Sequence, residues 1–287
     1  MLLLILPLLL QDDAVELRWK YRMGETIRYR MTQKVSSDVN GTPVRQQMAT
    51  TMALEVREID GKGCVTIEAR YEAVAARASG AQEYDYDSEK DKEPPDDPAA
   101  RMMSKLVGQS FRLRMAADGK VLEVSGYEKL VEAMSRGVGD DAATRERARQ
   151  ALGQMFSDEA FKSRMQQLAP PLPEGRVKKG DSWAGEFSLK MPVVGGVKYT
   201  LRSKLADLKD GHAFIEQDIK VEFQPEGEAP LAGQVEVRDA KGKSSAVFSV
   251  EQGRFVSQKA AVDLVLVAGK SGVPVRVETE LRLLDKK

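Results

Sequence analysis

Apolar and polar residues alternate along most of this chain, which is the period of half-buried strands. Val15, Leu17, Trp19 and Tyr21 alternate with polar neighbours and predict a first strand. Gly24-Glu25 turns into a second, with Ile27, Tyr29, Met31 and Val35 on one face and Arg28, Arg30, Thr32 and Lys34 on the other. After an Asn40-Gly41 turn, a long strand from about 46 to 59 carries Met48, Met52, Leu54 and Val56 on one face. Asp60-Gly61 then predicts a tight hairpin into Val65, Ile67, Ala69, Tyr71 and Ala73. A short amphipathic segment, 102–107, precedes another hairpin: Phe111, Leu113 and Met115, Asp118-Gly119, then 121–124.

The same pattern resumes later. Trp183, Phe187, Leu189 and Met191 lead to Val197, Tyr199 and Leu201, then through Asp210-Gly211 to Ala213, Ile215, Ile219, Val221 and Phe223. A proline-bearing loop at 224–230 is followed by Val235 and Val237, by Ala246, Phe248 and Val250, and by strands over 255–266 and 275–283. The alternation amounts to roughly fourteen strands, long and half polar, as in an antiparallel sheet covered on one face.

Only 127–168 has helical periodicity over any length. Tyr127, Leu130, Val131 and Met134 fall at i, i+3, i+4 and i+7. Ser125 and Glu128 form the S-x-x-E capping pattern, and Gly137 is the expected left-handed stop. A second helix is expected after Asp140 or Asp141, with Ala148, Ala151, Leu152 and Met155 on one face. A third starts at Ser157 and carries Phe161, Met165 and Leu168 before Pro170, Pro171 and Pro173 end it.

The two β-rich parts share landmarks in the same order. Gly24-Glu25-Thr26 matches Gly180-Asp181-Ser182, the Asp60-Gly61 hairpin matches Asp210-Gly211, and the hairpin through Gly119 matches that through Gly253. This order suggests an internal duplication. The expected fold is therefore mainly β (α+β): a large curved antiparallel sheet or half-barrel of two duplicated halves, with a helical segment packed on it. The division is 1–13 leader, 14–126 first half, 127–170 helical bridge and 171–287 second half, the halves forming one continuous unit.

Composition narrows the function classes. The 44 basic and 44 acidic residues of the 287 cancel, so no global field points to nucleic acid. Residues 1–10 are almost wholly Leu and Ile, too few to span a bilayer but suited to a secretory signal core; the alternative is a buried first strand. Export to the periplasm, envelope or medium is expected, with no transmembrane span in the mature chain. With Cys64 and His212 each the sole residue of its type, neither an intramolecular disulfide nor a zinc set built on those residue types can form. No nucleophile elbow, phosphate-binding loop or dinucleotide fingerprint is present. The acidic loop 82–98 spaces Asp85, Asp87 and Glu89 like calcium ligands, but Lys90 stands where an EF-hand needs Gly. It reads as a solvated loop. No cofactor, metal site or catalytic residue is expected.

Several phrases resemble an exported bacterial domain family of unknown function, common in secreted proteins of planctomycete-like bacteria. They are Tyr86-Asp87-Ser88, Leu106-Val107-Gly108-Gln109, Gly119-Lys120-Val121, Val124-Ser125-Gly126, Pro171-Leu172-Pro173 and the run 177–183. In architecture the chain is similar to the LolA and LppX lipoprotein carriers, and the likeness implies a curved sheet that wraps helices and shelters acyl chains. Two non-enzymatic readings follow. In one, a hydrophobic small molecule, lipid or lipidated partner lies between sheet and helices, lined by Leu130, Val131, Met134, Leu152, Phe161 and Met165. In the other, the helices plug the sheet and the protein is a structural or protein–protein module of the envelope. The methionine-rich apolar faces favour an adaptable surface, and a cavity under the helices would decide between lid and plug.

Overall fold

The computed structural model describes residues 14–39, 41–80, 83–91, 93, 95–139, 141–166, 169–191, 195–224, 235–269 and 271–285. The expected leader and Leu168 lie outside them. The first half contains β1 (Val15–Glu16), β2 (Thr26–Val39), β3 (Thr42–Ile59), β4 (Val65–Ser79), β5 (Tyr84–Asp87), α1 (Pro98–Ser104), β6 (Ser110–Met115) and β7 (Val121–Ser125). Then come α2 (Glu128–Val138), α3 (Ala142–Met155) and α4 (Asp158–Gln166). The second half contains β8 (Arg176–Val177), β9 (Ser182–Met191), β10 (Gly195–Lys209), β11 (His212–Gln224), β12 (Val235–Ser249), β13 (Arg254–Ala268) and β14 (Ser271–Leu284).

Twelve strands form one antiparallel sheet in the order β7-β6-β4-β3-β2-β14-β13-β12-β11-β10-β9, with β5 added beside β4. Each half is a meander, and the halves join where β2 pairs with β14, Val35 opposite Val277 and Tyr29 opposite Leu283. The edge strands are then β7 and β9. Helix α4 packs against both, so the sheet curls until its two edges flank one helix without closing into a barrel. A mainly β chain with a large antiparallel sheet and a few packed helices is what the alternation predicts.

Register separates two faces. On the inner face Leu205, Ile215, Ala246, Gln258, Leu281 and Met31 stand side by side from β10 to β2. On the outer face the corresponding row is Arg202, Asp218, Lys243, Ala261, Glu278 and Lys34. Its charges alternate, so no like charges oppose each other across a strand pair, the arrangement that favours the sheet. This row lines a polar groove of about 670 Å³.

Both halves open on the same clasp. Gly24 N–H donates to Val56 O at 3.0 Å, and Val56 N–H donates to Glu25 O at 3.0 Å. In the second half Gly180 N–H donates to Leu205 O at 2.8 Å, and Leu205 N–H to Asp181 O at 2.9 Å. The acidic side chain closes each turn alike, Glu25 accepting from Arg22 N and Asp181 from Lys178 N.

Four local expectations are corrected. The alternating run at 15–21 is not a strand of the main sheet: only Val15–Glu16 pairs, with β8, and the rest is an extended strap. Ser125 ends β7 instead of capping a helix; Gly126 at φ +78° makes the turn, and Tyr127 is an N-cap without a side-chain bond. Gly137 lies inside α2, where a Cβ would strike the Met102 backbone of α1, so its role is close helix approach. The Asp60-Gly61 connection is a five-residue loop, 60–64, held by Asp60 N donating to Cys64 O at 2.9 Å. By contrast, Asp141 caps α3 as expected, accepting from Thr144 N at 2.8 Å.

Candidate functional site

The six residues expected to line a ligand space are all shielded. Leu130, Val131 and Met134 on α2, Leu152 on α3, and Phe161 and Met165 on α4 are 0–7% exposed. They share one cluster with Val65, Ile67, Phe111, Leu113 and Val124 of the first half. Phe161 meets Phe111 edge-on at 4.9 Å and lies near Tyr127 and Phe156 at 5.3 and 5.6 Å. Burying such side chains stabilises by roughly 1.5–3 kcal/mol each, and among the described residues the cavity bordering them is about 60 Å³, with Met165 the one of the six that touches it. That space is too small for an acyl chain. In the first half the helices pack as a plug.

The strap fills the neighbouring inner face. Leu17 is fully buried, and Trp19 packs edge-on against Phe248 and Phe255 at 6.1 and 5.5 Å. Lys20 holds it in place, its N–H donating to Gly253 O at 3.0 Å and its Nζ to Val250 O at 2.9 Å.

The larger opening lies where the two sheet edges approach each other. A cleft of about 900 Å³ runs between the β6–β7 hairpin, α4, the proline segment and β9. Leu17, Val121, Leu172, Trp183 and Phe187 give it an apolar floor; Arg18, Lys120, Lys162, Asp118, Glu174 and Glu186 set charges around it. Both strand edges are managed here. The Gln166 side chain of α4 accepts from Val121 N at 2.8 Å and donates to Gly119 O and Ala169 O, occupying the open edge of β7. Pro171 covers the start of β9, with Trp183 Nε1 donating to its carbonyl at 3.1 Å and Gly185 leaving room for the ring. Proline offers no N–H, so it covers an edge without extending the sheet.

Little in the cleft resembles acid–base machinery. Lys198, hydrogen-bonded to Glu186 at 2.9 Å, holds that carboxyl below the usual range, so it stays ionised. His212 sits at the β10–β11 turn with Nδ1 2.8 Å from Asp210 O, and Cys64 is half-buried in the 60–64 loop. Among the described residues no three His, Cys, Asp or Glu side chains converge as a metal set. The expected solvated loop is partly a strand, since β5 pairs with β4 and buries Tyr86; there and in the turn after it Asp85, Asp87 and Glu89 take cationic partners: Arg77 at 2.6 Å, Lys90 at 2.9 Å and Arg30 at 3.2 Å. No described helix is long and apolar enough to cross a membrane.

Sequence reasoning missed the cleft. Its floor comes from the strap, β7, the proline segment and β9, which no local pattern in the sequence brings together.

A model of DUF6263, a family of unknown function, matches residues 62–252, and the chain belongs to that family. A search of curated proteins found no match. Among solved structures, lipovitellin, from a study of its lipid–protein interactions, has a TM-score of 0.51 at 8% identity. The match covers 93% of this chain but only 26% of lipovitellin, so the chain spans about a quarter of that protein. OccK5 (OpdH) of Pseudomonas aeruginosa has a TM-score of 0.27 at 7% identity, covering 91% of this chain and 98% of the other. The COG4313 outer membrane channel of Pseudomonas putida F1 has 0.25 at 8%, covering 96% and 98%. At these identities the lipovitellin likeness shows fold alone.

Proposed function

We propose that this member of the DUF6263 family is a non-enzymatic, exported binding protein that holds a hydrophobic or lipid-like molecule in the cleft between α4 and β9. The observation that carries the reading is the cleft itself: about 900 Å³, with an apolar floor and charges around it. Ligand sites are concave, mostly apolar and set with a few polar groups, within about 300–1,000 Å³. The fold shared with lipovitellin, whose structure was described for its lipid–protein interactions, supports a lipid-like occupant, as does the resemblance to lipoprotein carriers.

Native mass spectrometry of protein purified from a bacterial envelope, with displacement of a fluorescent fatty acid, tests this. Bound lipid that is lost on Trp183→Ala and Phe187→Ala is the expected result. A ligand-free chain that also ignores the fatty acid overturns it.

The filled core under α2–α4 favours a second reading, a structural or partner-binding module of the envelope. It predicts a stable envelope complex with cleft variants unaffected in ligand content, measurable by cross-linking in envelope extracts.

A further inference from the structure

We propose that the open edge of β9 receives one extended segment of a partner polypeptide, which adds to the sheet as a further strand. This goes beyond the lipid reading: it concerns the strand at the rim of the cleft and does not depend on what the floor holds.

The two halves of the sheet are unequal. Both open on the same clasp and run on as meanders, but the first contributes β2, β3, β4, β6 and β7 to the main path and the second β9 to β14. In the second half the hairpin β12–β13 is followed by β14, which pairs antiparallel with β13 on one side and with β2 on the other. In the first half the corresponding hairpin, β6–β7, runs into α2 instead. Among the described residues no strand therefore stands between β7 and β9, and the cleft lies at that place.

The two edges left by this gap differ. β7 is closed, its main chain taken up by the Gln166 side chain. β9 is closed only at its start, where Pro171 lies over Gly185. From Glu186 to Met191 its main chain pairs, among the described residues, with β10 alone. Over roughly 20 Å of strand, one row of N–H and C=O groups thus faces away from the sheet without a protein partner.

The occupant follows from what such an edge can bond. Alternating main-chain donors and acceptors are matched in spacing by another extended main chain and by no hydrocarbon chain. The edge is also recessed. Across the cleft, α4 with Lys162 and Ser163 and the β6–β7 turn with Asp118 and Lys120 form a facing wall. A single extended segment enters between wall and edge. A second copy of this protein does not, because joining two such edges would drive the two walls into each other. Side chains on β9 alternate: Phe187 lies inward, stacked on Tyr199 at 4.8 Å, and Glu186 outward, bonded to Lys198. The segment that fits carries apolar residues at every second position, toward Phe187 and Leu172, with polar ones between.

β14 has that alternation and fills the corresponding place in the second half, so its sequence supplies the probe. A fluorescein-labelled peptide of residues 275–284 is offered to the full chain. Saturable binding by fluorescence anisotropy is expected, with slowed hydrogen exchange in β9. Two further peptides carry N-methyl groups on alternate residues, at 276, 278, 280 and 282 in one and at 277, 279, 281 and 283 in the other. A strand added at an edge uses the donors of one side only. One of the two should bind at least tenfold more weakly and the other like the parent. No binding, equal binding by all three peptides, equal loss in both methylated peptides, or slowed exchange only outside β9 overturns the proposal. Concentration-dependent dimers that protect β9 without peptide also overturn it and make the edge an interface between copies. The fluorescent fatty acid is measured in parallel. Fatty-acid binding without peptide binding sinks this proposal and leaves the lipid reading standing, and peptide binding without fatty-acid binding does the reverse.

Discussion

Arg254 and Glu25 form a forked ion pair, with Arg254 Nη2 3.2 and 3.0 Å from the two carboxylate oxygens and the side chains only 13% and 16% exposed. The pair ties the start of β13 to the clasp that opens β2. The same guanidinium donates to Lys20 O at 3.2 Å, so one side chain fixes the strap, the first half and the second. Removing one partner leaves the other charge shielded and unpaired, which costs about 3–5 kcal/mol at fully buried sites. With this partial exposure, Arg254→Ala should cost about 2–3 kcal/mol by the same reasoning. Denaturant midpoints of R254A, E25Q and the double variant check it, the double variant costing less than the sum of the two.

Gly119 faces the strap directly. Its φ is +90°, and a Cβ there would run into Trp19 Nε1. Gly211, at φ +70°, faces open space. Gly211→Ala should therefore cost about 1 kcal/mol, from backbone conformation alone. Gly119→Ala should cost about 1–3 kcal/mol more, by overpacking, and should weaken the near-ultraviolet dichroism of the Trp19 environment. Equal costs would show that the strap yields freely.

The plug can be separated from the cleft. Phe161→Ala should lower stability by about 3–5 kcal/mol, as large-to-small core substitutions do, while the surviving folded protein keeps its ligand content. Trp183→Ala should lower ligand content beyond its unfolded fraction, at a stability cost from its lost packing on the second-half core and its lost bond to Pro171. Thermal melts and native mass spectrometry on both variants check the contrast, and ligand loss in Phe161→Ala beyond its unfolded fraction would contradict it.

Alkali should unfold this protein in a defined window. A hydrogen bond to Asp158 pushes the Tyr127 hydroxyl up to about 12, and burial does the same to Tyr71. Both raise the folded-state value above the unfolded value of about 10, so the folded state holds more protons between the two. Their contribution is fully present below about pH 10 and is lost as pH rises through about 12. Denaturant midpoints measured from pH 9 upward should fall across that window, less steeply in Tyr127→Phe. A flat profile would contradict the assignment.

Much of the architecture was legible in the chain. Period-two alternation marked nearly every strand of the main sheet, because a sheet with one dry face imposes that period residue by residue. Asp141 announced α3 through the local chemistry of a cap. Where one residue type serves two local ends, local reading failed: Gly137 looks like a helix stop but makes room for α1, and Ser125 looks like a cap but ends a strand.

The candidate site was hardly legible. Alternation at 15–21 fixes which side chains share a face, yet says nothing about whether the backbone pairs in the main sheet or crosses its end as a strap. The apolar stripes of α2–α4 showed that the helices must be covered; that they plug the first half emerged only from packing.

By itself, then, the sequence determined strand periodicity, the charged outer face and the mainly β class, since each depends on neighbours a few residues apart. The tertiary structure alone decided where the space lies. The cleft exists because β7 and β9, separated in the chain by the whole helical segment, become the two edges of one curled sheet and meet across α4. No local pattern encodes that meeting, because the curl is the summed twist of strands whose partners are far away in sequence.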